Sequence, residues 1–465
     1  MQSRRSFLIQ SALAAPMAAL AQSGRRPMNV LLIMADDMNN SLGCYGHPLV
    51  KTPNLDALAA RGVRFDRAYC QFPLCGPSRA SMHTGLRPDV TRVLDNNVDF
   101  RDHIPNAVTM PQLFKNSGYF TARTGKMYHM NVPNEVGTPR FQDPPSWTHD
   151  HSPQGLELKT EGEGLRTNPM PYIVAKDARG QADENAADEA ISVLEKHRNE
   201  PFFLGCGLIR PHLPFVAPGK YFDMYPAGKM DLRVNPPDDL DDIPAAHKAI
   251  RANQWNHQKM SPERQRMALQ GYYASTSFMD YEAGRVMDAL QRLNLADRTV
   301  VVFVGDHGWN LGEHTRWMKM SLFEESARVP LLVAAPGMKG NGKGSRALVE
   351  MVDIYGTTAE LAGLKPPADY QGTSMVPLLQ SPERRWKSGA FTQIQFQGEI
   401  VGRSIRTDRY RYMKWEGHGD GEELYDHQTD AHEFTNLAGK PEHAATLGKL
   451  RGALKAGWQS ARPTV

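Results

Sequence analysis

The sequence lacks the features that mark several large classes of protein. Its 465 residues contain no low-complexity tract, internal repeat, heptad pattern or long basic run, and the formal net charge is only +3. This charge gives no indication of a nucleic-acid-binding surface, so no nucleic acid partner is expected. An anionic substrate would therefore have to be bound by a local group of cations.

Cysteine is also scarce, with 4 in the whole chain. The spacing of Cys44, Cys70, Cys75 and Cys206 matches neither a zinc site nor a dense disulfide framework. If Cys75 has a chemical role, the other three cannot all pair, and Cys206 lies in an apolar run expected in the core. A bridge between Cys44 and Cys70 stays open, although nothing in the sequence supports it.

The first residues have the layout of an export signal. Arg4 and Arg5 precede an alanine-rich apolar stretch, and small residues at positions 19 and 21 favour cleavage after Ala21. The pattern "SRRSFL" resembles the twin-arginine motif, and an ordinary secretion signal or an anchor is the alternative. We predict a twin-arginine-type signal peptide over residues 1–21 and a periplasmic or secreted mature protein. No stable membrane insertion is expected after cleavage, because the stretch is too short for a convincing span.

Apolar runs alternate with helical patterns along most of the chain. "NVLLIMADD" and "RTVVVFVGDHG" are unbroken apolar runs, which are typical of strands buried on both faces of a sheet. The alternation predicts an α/β fold, with a large, mostly parallel or mixed central sheet and helices on both faces. After residue 381 the pattern changes to short alternating strands. We therefore predict a large domain over 22–381 and a smaller C-terminal α+β subdomain with an antiparallel sheet over 382–465.

Metal-ligand residues follow two of the predicted strands. Asp36 and Asp37 end the first strand, and Asp306 and His307 follow a strand far along the chain. Each residue alone fits a turn or a helix cap, but the carboxyl ends of parallel strands meet at one edge of a sheet. Three carboxylates converging there would repel one another without a cation. The oxygen-rich set favours Ca²⁺ or Mg²⁺ over zinc.

Several cationic or basic side chains are candidates for the same site. They are Lys126, His129, His212 and Lys319. Taken singly, each is more often a surface or core residue than a catalytic one. His212 is the strongest candidate, because the prolines on either side of it stiffen its backbone.

Cys75 lies in the unusual segment "QFPLCGPSRASMHTG". A buried structural thiol is the simplest interpretation. However, Pro77 and Ser78 can begin a helix whose first N–H groups face the thiol, with Arg79 one turn further on. Such surroundings stabilise an anion and lower the pKa of a thiol.

The segment Cys75-Gly76-Pro77-Ser78-Arg79 resembles the sulfatase signature Cys-x-Pro-Ser-Arg. Further segments resemble those of sulfatases in matching order along the mature chain, and they favour the iduronate-2-sulfatase-like branch of this alkaline-phosphatase-like superfamily. These segments are "ADDMNNSLGCYG", "TGKMYH", "RPHLPF", "VGDHGWNLGEHTRWMKMS", "VDIYGTTAELAGL" and "LYDHQTDAHEFTNLA".

The resemblance implies a modified nucleophile and a metal ion. A formylglycine-generating enzyme would convert Cys75 to 3-oxoalanine (Cα-formylglycine), whose hydrate carries two hydroxyl groups. One Ca²⁺ would be bound by Asp36, Asp37, Asp306 and His307 together with residue 75. The large domain would then be the catalytic domain.

The resemblance also implies a role for each remaining candidate. Arg79 would orient the diol, and Lys126 and Lys319 would bind the non-bridging sulfate oxygens. His129 would act as the base for the second hydroxyl. His212, with or without Lys319, would protonate or hydrogen-bond the leaving oxygen.

The assignment of a substrate depends on the long loops that shape the pocket, where the resemblance is weakest. Trp309 matches a position near the substrate, although a core aromatic residue is an equal interpretation. Arg101 and His103 are guesses for a cation that would bind a uronic acid carboxylate. Gly76 fills the variable position of the signature.

We therefore predict a sulfuric ester hydrolase acting on sulfated glycans, with an iduronate-2-sulfatase-like enzyme as the finer assignment. A phosphonate or phosphate monoester hydrolase of the same superfamily is one alternative. A binder of sulfated glycans without catalysis is the other, and it would leave Cys75 unconverted.

Overall fold

A computed structural model describes most of the chain. The described residues are 27–156, 159–177, 179–252, 260–417 and 419–463. The predicted signal peptide lies outside them. Within these ranges, no helix has both the length and the apolar character required to span a bilayer.

The secondary structure follows the predicted alternation of strands and helices. The strands are β1 (Asn29–Asp36), β2 (Val63–Tyr69), β3 (Phe120–Gly125), β4 (His149–His151), β5 (Gly162–Leu165), β6 (Tyr172–Ala175), β7 (Phe202–Pro211), β8 (Phe215–Pro218), β9 (Thr299–Gly305), β10 (Asn310–Leu311), β11 (Trp317–Met318), β12 (Arg328–Ala334), β13 (Lys343–Glu350), β14 (Ala390–Phe396), β15 (Glu399–Arg406), β16 (Tyr410–Trp415) and β17 (Gly421–Asp426). The α-helices are α1 (Pro53–Ala60), α2 (Cys75–Thr84), α3 (Pro88–Thr91), α4 (Met110–Asn116), α5 (Ala182–His197), α6 (Gly219–Asp223), α7 (Ala245–Ala252), α8 (Pro262–Arg292), α9 (Glu324–Ala327), α10 (Asp353–Leu361), α11 (Val376–Gln380) and α12 (Ala444–Ala456).

The central sheet has eight strands in the order β13-β2-β12-β9-β1-β7-β3-β4. Only β12 runs antiparallel to its neighbours, and every other pair in the sheet is parallel. The predicted mostly parallel or mixed sheet is therefore confirmed.

The side chains of β1 alternate between two hydrophobic layers. Leu31 and Ile33 pack with residues of α1, α5 and α8, whereas Leu32 and Met34 pack with residues of α2, α4 and α10. Helices thus cover both faces of the sheet, as predicted. This double burial explains why the strand reads as an unbroken apolar run.

The C-terminal part is built around a second sheet. Strands β14, β15, β16 and β17 form an antiparallel meander, and α12 packs on one face of it through Leu447 and Leu450. This confirms the predicted antiparallel sheet and helix. The division between the two parts at residue 382 stays a prediction.

Three local features differ from the sequence expectation. The many Pro, Gly and polar residues around 130–180 predict long loops, but this stretch contains β4, β5 and β6, of which β5 and β6 join β8 in a small sheet. The pattern "QGYYASTSFMDYEAGRVMDALQRLN" predicts a long helix, but α8 already starts at Pro262, where the Ser261 hydroxyl caps it by accepting from Arg264 N at 3.2 Å. All four cysteines are free thiols, so the bridge between Cys44 and Cys70 does not form.

Candidate functional site

The carboxyl ends of β1 and β9 bring the two distant acidic segments together. The strands are parallel neighbours, with Ala35 opposite Gly305. At this edge Asp306 N donates to Ala35 O at 3.1 Å, and Asp37 N donates to the Asp306 carboxylate at 3.0 Å. Asp37 has a φ of 60°, so the chain turns sharply away from the sheet at this residue. The register of two strands thus places the predicted ligand residues side by side.

Cys75 is the first residue of α2 and is fully buried. The helix therefore begins two residues earlier than Pro77, where the sequence suggested a start. The Cys75 Sγ atom lies 3.3 Å from His307 Nε2 and 3.0 Å from Lys319 Nζ. Burial is the largest influence and opposes ionisation of the thiol, but the charges of Lys319 and Lys126 act against it and the pKa of Cys75 is lowered.

The side chains of Asp36, Cys75, Asp306 and His307 form one compact group. Their ligand atoms all lie within 4.8 Å of one another, and all four residues are buried. His307 Nδ1 donates to Gly308 O at 2.9 Å, which leaves Nε2 directed at the group. We refer to these four residues and Asp37 as the ligand group.

The Asp37 carboxylate is incompletely compensated. Its Oδ1 atom accepts from Lys319 Nζ at 2.5 Å, whereas Oδ2 is buried without a hydrogen-bond partner among the described residues. Burial raises the pKa of Asp37 to about 7, and Lys319 offsets this only in part. An orphaned oxygen among converging carboxylates fits an oxygen-preferring divalent cation.

Arg79 binds two carboxylates of the ligand group. Its Nε atom donates to Asp306 Oδ2 at 2.9 Å, and a second guanidinium nitrogen donates to Asp36 Oδ1 at 3.1 Å. The guanidinium is fully buried and therefore cannot be displaced by solvent. It also donates to the backbone carbonyls of Lys126 and Met127, so it ties two candidate metal ligands to the segment after β3.

Lys126 follows β3 and completes the positive charge of the site. Its Nζ atom lies 2.5 Å from Asp36 Oδ2. Burial would raise the pKa of Asp36, but Lys126 and Arg79 hold it well below its usual value. Asp36 is thus a stable carboxylate in spite of complete burial.

His212 occupies the outer side of the site. Its Nε2 atom lies 3.6 Å from Asp37 Oδ2, and Nδ1 donates to Leu213 O at 2.6 Å. The side chain keeps 17% of its surface exposed, unlike the fully buried ligand group. Burial lowers the pKa of His212 well below its usual value, so the ring is neutral in the free protein.

His129 lies beside the site without touching the ligand group. Its Nε2 atom lies 3.1 Å from Asn131 Oδ1, and its buried Nδ1 atom has no partner among the described residues. Burial lowers the pKa of His129 to about 3, and the nearby charge of Lys126 acts in the same direction. A neutral ring of this kind is able to accept a proton.

Comparison with known proteins places this geometry in a family. A family model described as Sulfatase matches residues 28–364, which is more than half of the chain. The chain belongs to the sulfatase family. A second model, described as N-sulphoglucosamine sulphohydrolase, C-terminal, matches residues 312–459 of this sulfatase.

Individual relatives show the same relationship over the full length. Mouse iduronate 2-sulfatase is 32% identical over 531 residues, an alignment that covers 93% of this sulfatase and 95% of the mouse protein. A solved complex of a protein with its substrate D-glucosamine-2-N,6-O-disulfate is 22% identical with a TM-score of 0.75, and covers 93% of this chain and 98% of that one. The phosphonate monoester hydrolase of Agrobacterium radiobacter is 24% identical with a TM-score of 0.77, with 93% and 95% covered. The two structural likenesses show a shared fold.

The glycine at the variable signature position has a local structural reason. A Cβ atom on Gly76 would lie 2.8 Å from Asp95 O and 3.0 Å from the Asn96 side chain. Gly76 N also donates to Asn96 Oδ1 at 2.9 Å. In this sulfatase the loop at residues 95–96 packs directly on the start of α2, and only glycine leaves room for it.

Trp309 is a core residue whose Nε1 atom has no partner among the described residues, and Arg101 is already paired within the protein. Trp309 is fully buried, belongs to a hydrophobic cluster and lies with its ring centre 5.6 Å from Lys319 Nζ. The core interpretation is therefore the better one. The Arg101 guanidinium is engaged by Asp143 at 2.8 Å and by backbone carbonyls, so it does not supply a cation for a substrate.

Sequence reasoning missed a residue that holds the backbone at Asp37. Tyr272 comes from the middle of α8, and its hydroxyl donates to Asp37 O and accepts from Asn39 N, both at 2.9 Å. The pattern "QGYYAST" reads only as one face of a buried helix. No sequence signal connects it to Asp37, because the contact joins residues more than two hundred positions apart.

Proposed function

We propose that this sulfatase hydrolyses sulfate esters of sulfated glycans, and that its preferred substrate class is iduronate-type, a sulfated uronic acid residue. The observation that carries the activity is the position of Cys75 inside the ligand group, within 3.3 Å of His307 and 3.0 Å of Lys319. A nucleophile held between a cation, an imidazole and a metal-type carboxylate set matches the requirements of sulfuryl transfer.

Cys75 is proposed to be converted to Cα-formylglycine by a formylglycine-generating enzyme during maturation. One hydroxyl of the hydrated aldehyde would attack sulfur and displace the alcohol of the ester. The second hydroxyl would then lose its proton and re-form the aldehyde, as the bond between carbon and the sulfate oxygen breaks and sulfate leaves. Lys319 supports this chemistry, because its ammonium nitrogen lies 3.0 Å from the Sγ atom of residue 75. Burial of residue 75 excludes bulk water from competing reactions.

The ligand group is proposed to bind one Ca²⁺. The donor set consists of Asp36, Asp37, Asp306, His307 and residue 75, with carboxylate oxygens in the majority. A cation bound here supplies positive charge for the sulfate oxygens and lowers the pKa of the attacking hydroxyl. Support comes from the unpartnered Asp37 Oδ2 atom, which the described residues leave without a donor.

The remaining roles are proposals for the side chains around this group. Lys126 and Lys319 are placed to bind the non-bridging oxygens as negative charge develops on them. Arg79 fixes the carboxylates and, through them, the orientation of residue 75. His129, held neutral by burial, is proposed as the base for the second hydroxyl. In the free protein the one proton of His212 is on Nδ1, so we propose that Nε2 takes up a second proton before His212, with or without Lys319, protonates the leaving oxygen.

The glycan assignment is supported by the names of relatives. The full-length similarity to mouse iduronate 2-sulfatase favours a sulfated uronic acid, and a protein of the same fold is known in complex with a disulfated glucosamine. The likeness to a phosphonate monoester hydrolase keeps phosphonate ester hydrolysis as the second candidate. Rates on matched sulfate and phosphonate monoesters distinguish the two, and faster phosphonate hydrolysis would overturn the proposal.

The test of the proposal is a product screen on defined sulfated saccharides, with Cys75→Ala as the control. We expect release of sulfate by the wild-type protein and none by the variant. Peptide mass over residues 71–87 reports whether the thiol has been replaced by an aldehyde. An unconverted Cys75 in protein purified from a host with the maturation enzyme, together with no sulfate release, would instead indicate a glycan binder.

Metal dependence is tested separately by chelation. Dialysis against a strong Ca²⁺ chelator should abolish sulfate release, and added Ca²⁺ should restore it more fully than Mg²⁺ or Zn²⁺. We further propose export by the twin-arginine route, since folding and metal loading would then precede translocation. Export of active enzyme after replacement of Arg4 and Arg5 by lysine would contradict that route.

A further inference from the structure

A groove at the outer edge of the central sheet is lined by arginine side chains. It is a cavity of about 360 Å³ between the edge strand β13 and the segment 382–387 that leads to the C-terminal sheet. None of its lining residues belongs to the ligand group or to the cations around that group. Apart from Lys387, its charged lining residues are Arg67, Arg346, Glu383, Arg384, Arg385 and Asp408.

Three of these arginines form no ion pair with any residue that the structure describes. Arg67 pairs with Asp408 at 2.7 Å, so its charge is already compensated. The side chains of Arg346, Arg384 and Arg385 are exposed and form no ion pair or hydrogen bond with another described residue. The cavity is therefore lined by three arginines without an ion pair among the described residues, with Glu383 as the one lining carboxylate not paired with Arg67.

Lys387 does not contribute to this positive charge. Its Nζ atom points into the protein and donates to Glu350 at 2.8 Å and to both oxygens of Asp353 at 2.6 and 2.7 Å. The chain thus turns one cation of the "RRWK" segment inward as a structural group. The two preceding arginines remain on the surface.

Trp386 extends the groove beyond the arginines. Together with Arg384 it also lines an adjoining cavity of about 490 Å³, so the two cavities share a common wall. The Trp386 Nε1 atom is buried and has no hydrogen-bond partner among the described residues. The part of the Trp386 ring that lines the two cavities therefore offers an apolar wall and no free donor. We refer to Arg346, Arg384, Arg385 and Trp386 as the arginine groove.

The edge strand connects the arginine groove to the catalytic site. From Arg346 the chain runs along β13 to Met351, whose sulfur accepts from the Ser78 hydroxyl at 3.4 Å, one turn beyond Cys75. At ~3.3 Å per residue this path through the protein is roughly 16 Å long. The arginine groove is therefore a separate place from the ligand group.

We propose that the arginine groove binds sulfate groups of a polymeric sulfated glycan outside the residue that reacts. The proposal rests on the proposed function and specifies its substrate as a chain rather than a small sulfate ester. Guanidinium groups bind oxyanions through paired N–H donors, and the Trp386 ring offers an apolar surface beside them. Binding of this kind is mainly electrostatic and should weaken as salt is raised.

The test compares two triple variants of the full chain. Arg346→Ala/Arg384→Ala/Arg385→Ala removes the groove cations. The control, Arg179→Ala/Lys196→Ala/Arg198→Ala, removes the same charge from exposed positions at or near α5. The probe is a size-defined heparin fraction, measured by calorimetry at two salt concentrations, with its desulfated form and single-stranded DNA as comparison ligands.

We expect the groove variant to bind the heparin fraction on the order of tenfold more weakly, with a shallower salt dependence. The control variant should bind as the wild type does, and sulfate release from a small aryl sulfate should be unchanged in both. Equal binding by the groove variant, equal loss in the control, or equally tight binding of DNA would overturn the proposal. Because binding is measured without turnover, an inactive enzyme would refute the proposed function and leave this result interpretable.

Discussion

Two buried ionic clusters in this protein are built from the same kinds of residues but are compensated differently. The ligand group brings carboxylates against Arg79, Lys126 and Lys319, yet leaves Asp37 Oδ2 without a donor. The second cluster, which we call the structural ion cluster, lies between the central sheet and β14. It consists of Arg87, Glu350, Asp353 and Lys387.

Every carboxylate oxygen of the structural ion cluster has a donor. Arg87 binds both oxygens of Glu350, at 2.8 and 2.7 Å, and Lys387 binds one of them as well as both oxygens of Asp353. The N–H of Phe391 on β14 donates to Glu350 at 3.0 Å. The comparison indicates that buried charge alone does not mark a functional site. The feature that marks the site is a buried carboxylate oxygen without a hydrogen-bond donor at the carboxyl ends of parallel strands.

The largest expected effect comes from breaking the ligand group at its open acceptor. Asp37→Asn should lower kcat by at least about 10²–10³-fold, because it removes a carboxylate ligand. The free energy of unfolding should change by less than about 1 kcal/mol, since lost repulsion among the carboxylates offsets the lost ion pair with Lys319. Steady-state rates and urea unfolding in metal-free buffer measure both quantities.

Substitution in the structural ion cluster should give the opposite pattern. Glu350→Gln leaves Arg87 and Lys387 buried with less negative charge, so the free energy of unfolding should fall by about 3–5 kcal/mol. The specific activity of the folded fraction should stay within twofold of wild type. If Glu350→Gln lost activity in the folded state, or Asp37→Asn unfolded as readily, the distinction between the two clusters would be wrong.

A third buried carboxylate, that of Asp280, extends the comparison because no cation pairs with it among the described residues. Asp280 on α8 accepts from Leu55 N at 2.8 Å and from Asn54 N at 3.2 Å, at the start of α1. Burial raises the pKa of Asp280 to about 6, and these amide donors lower it only in part. The protonated form is thus favoured by folding.

This raised pKa has a definite sign in the pH dependence of stability. The contribution of Asp280 is fully present below its unfolded pKa of about 3.9 and is lost as pH rises through about 6. As pH rises between those two values, the free energy of unfolding of the wild type should fall by on the order of 2–3 kcal/mol more than that of Asp280→Asn. Urea unfolding of both proteins from pH 4 to 7 provides the measurement, and parallel profiles would contradict the assignment.

The site residues that follow the central strands were predictable from the sequence, whereas the distant residues that contact and support them were not. Asp36 and Asp306 follow apolar runs whose lack of alternation predicts buried parallel strands, and the topology rule then brings them to one edge. Cys75 was recognisable from its signature. The placements of these residues follow from local sequence, because strand burial and helix starts leave local patterns.

Contacts between distant elements leave no such pattern. The sequence indicated neither that Tyr272 would reach Asp37 nor that Arg346 and Arg384 would line one cavity. The segment "RRWK" also does not reveal that Lys387 points into the protein while the two arginines before it stay on the surface. In each case tertiary packing, not local preference, decides which polar group is satisfied internally.

The smallest effect is expected at Tyr272, and it tests whether the ligand group depends on support from outside the sheet. Tyr272→Phe removes the donor to Asp37 O and the acceptor of Asn39 N, leaving two buried backbone groups unpaired. The free energy of unfolding should fall by about 1–2 kcal/mol. Because Asp37 then loses its anchor, kcat should fall on the order of fivefold to tenfold, with KM little changed.

The adjacent residue provides the control for this prediction. Tyr273 lies on the same helix, and its hydroxyl makes no hydrogen bond with another described residue, so Tyr273→Phe should leave both stability and kcat near wild type. A structural role alone would lower the stability of Tyr272→Phe without changing the rate of the folded enzyme. A rate loss that added Ca²⁺ reduces would instead mean that the hydroxyl acts by holding Asp37 in its turn. The ligand group would then depend on α8 as well as on the two strands that carry its carboxylates.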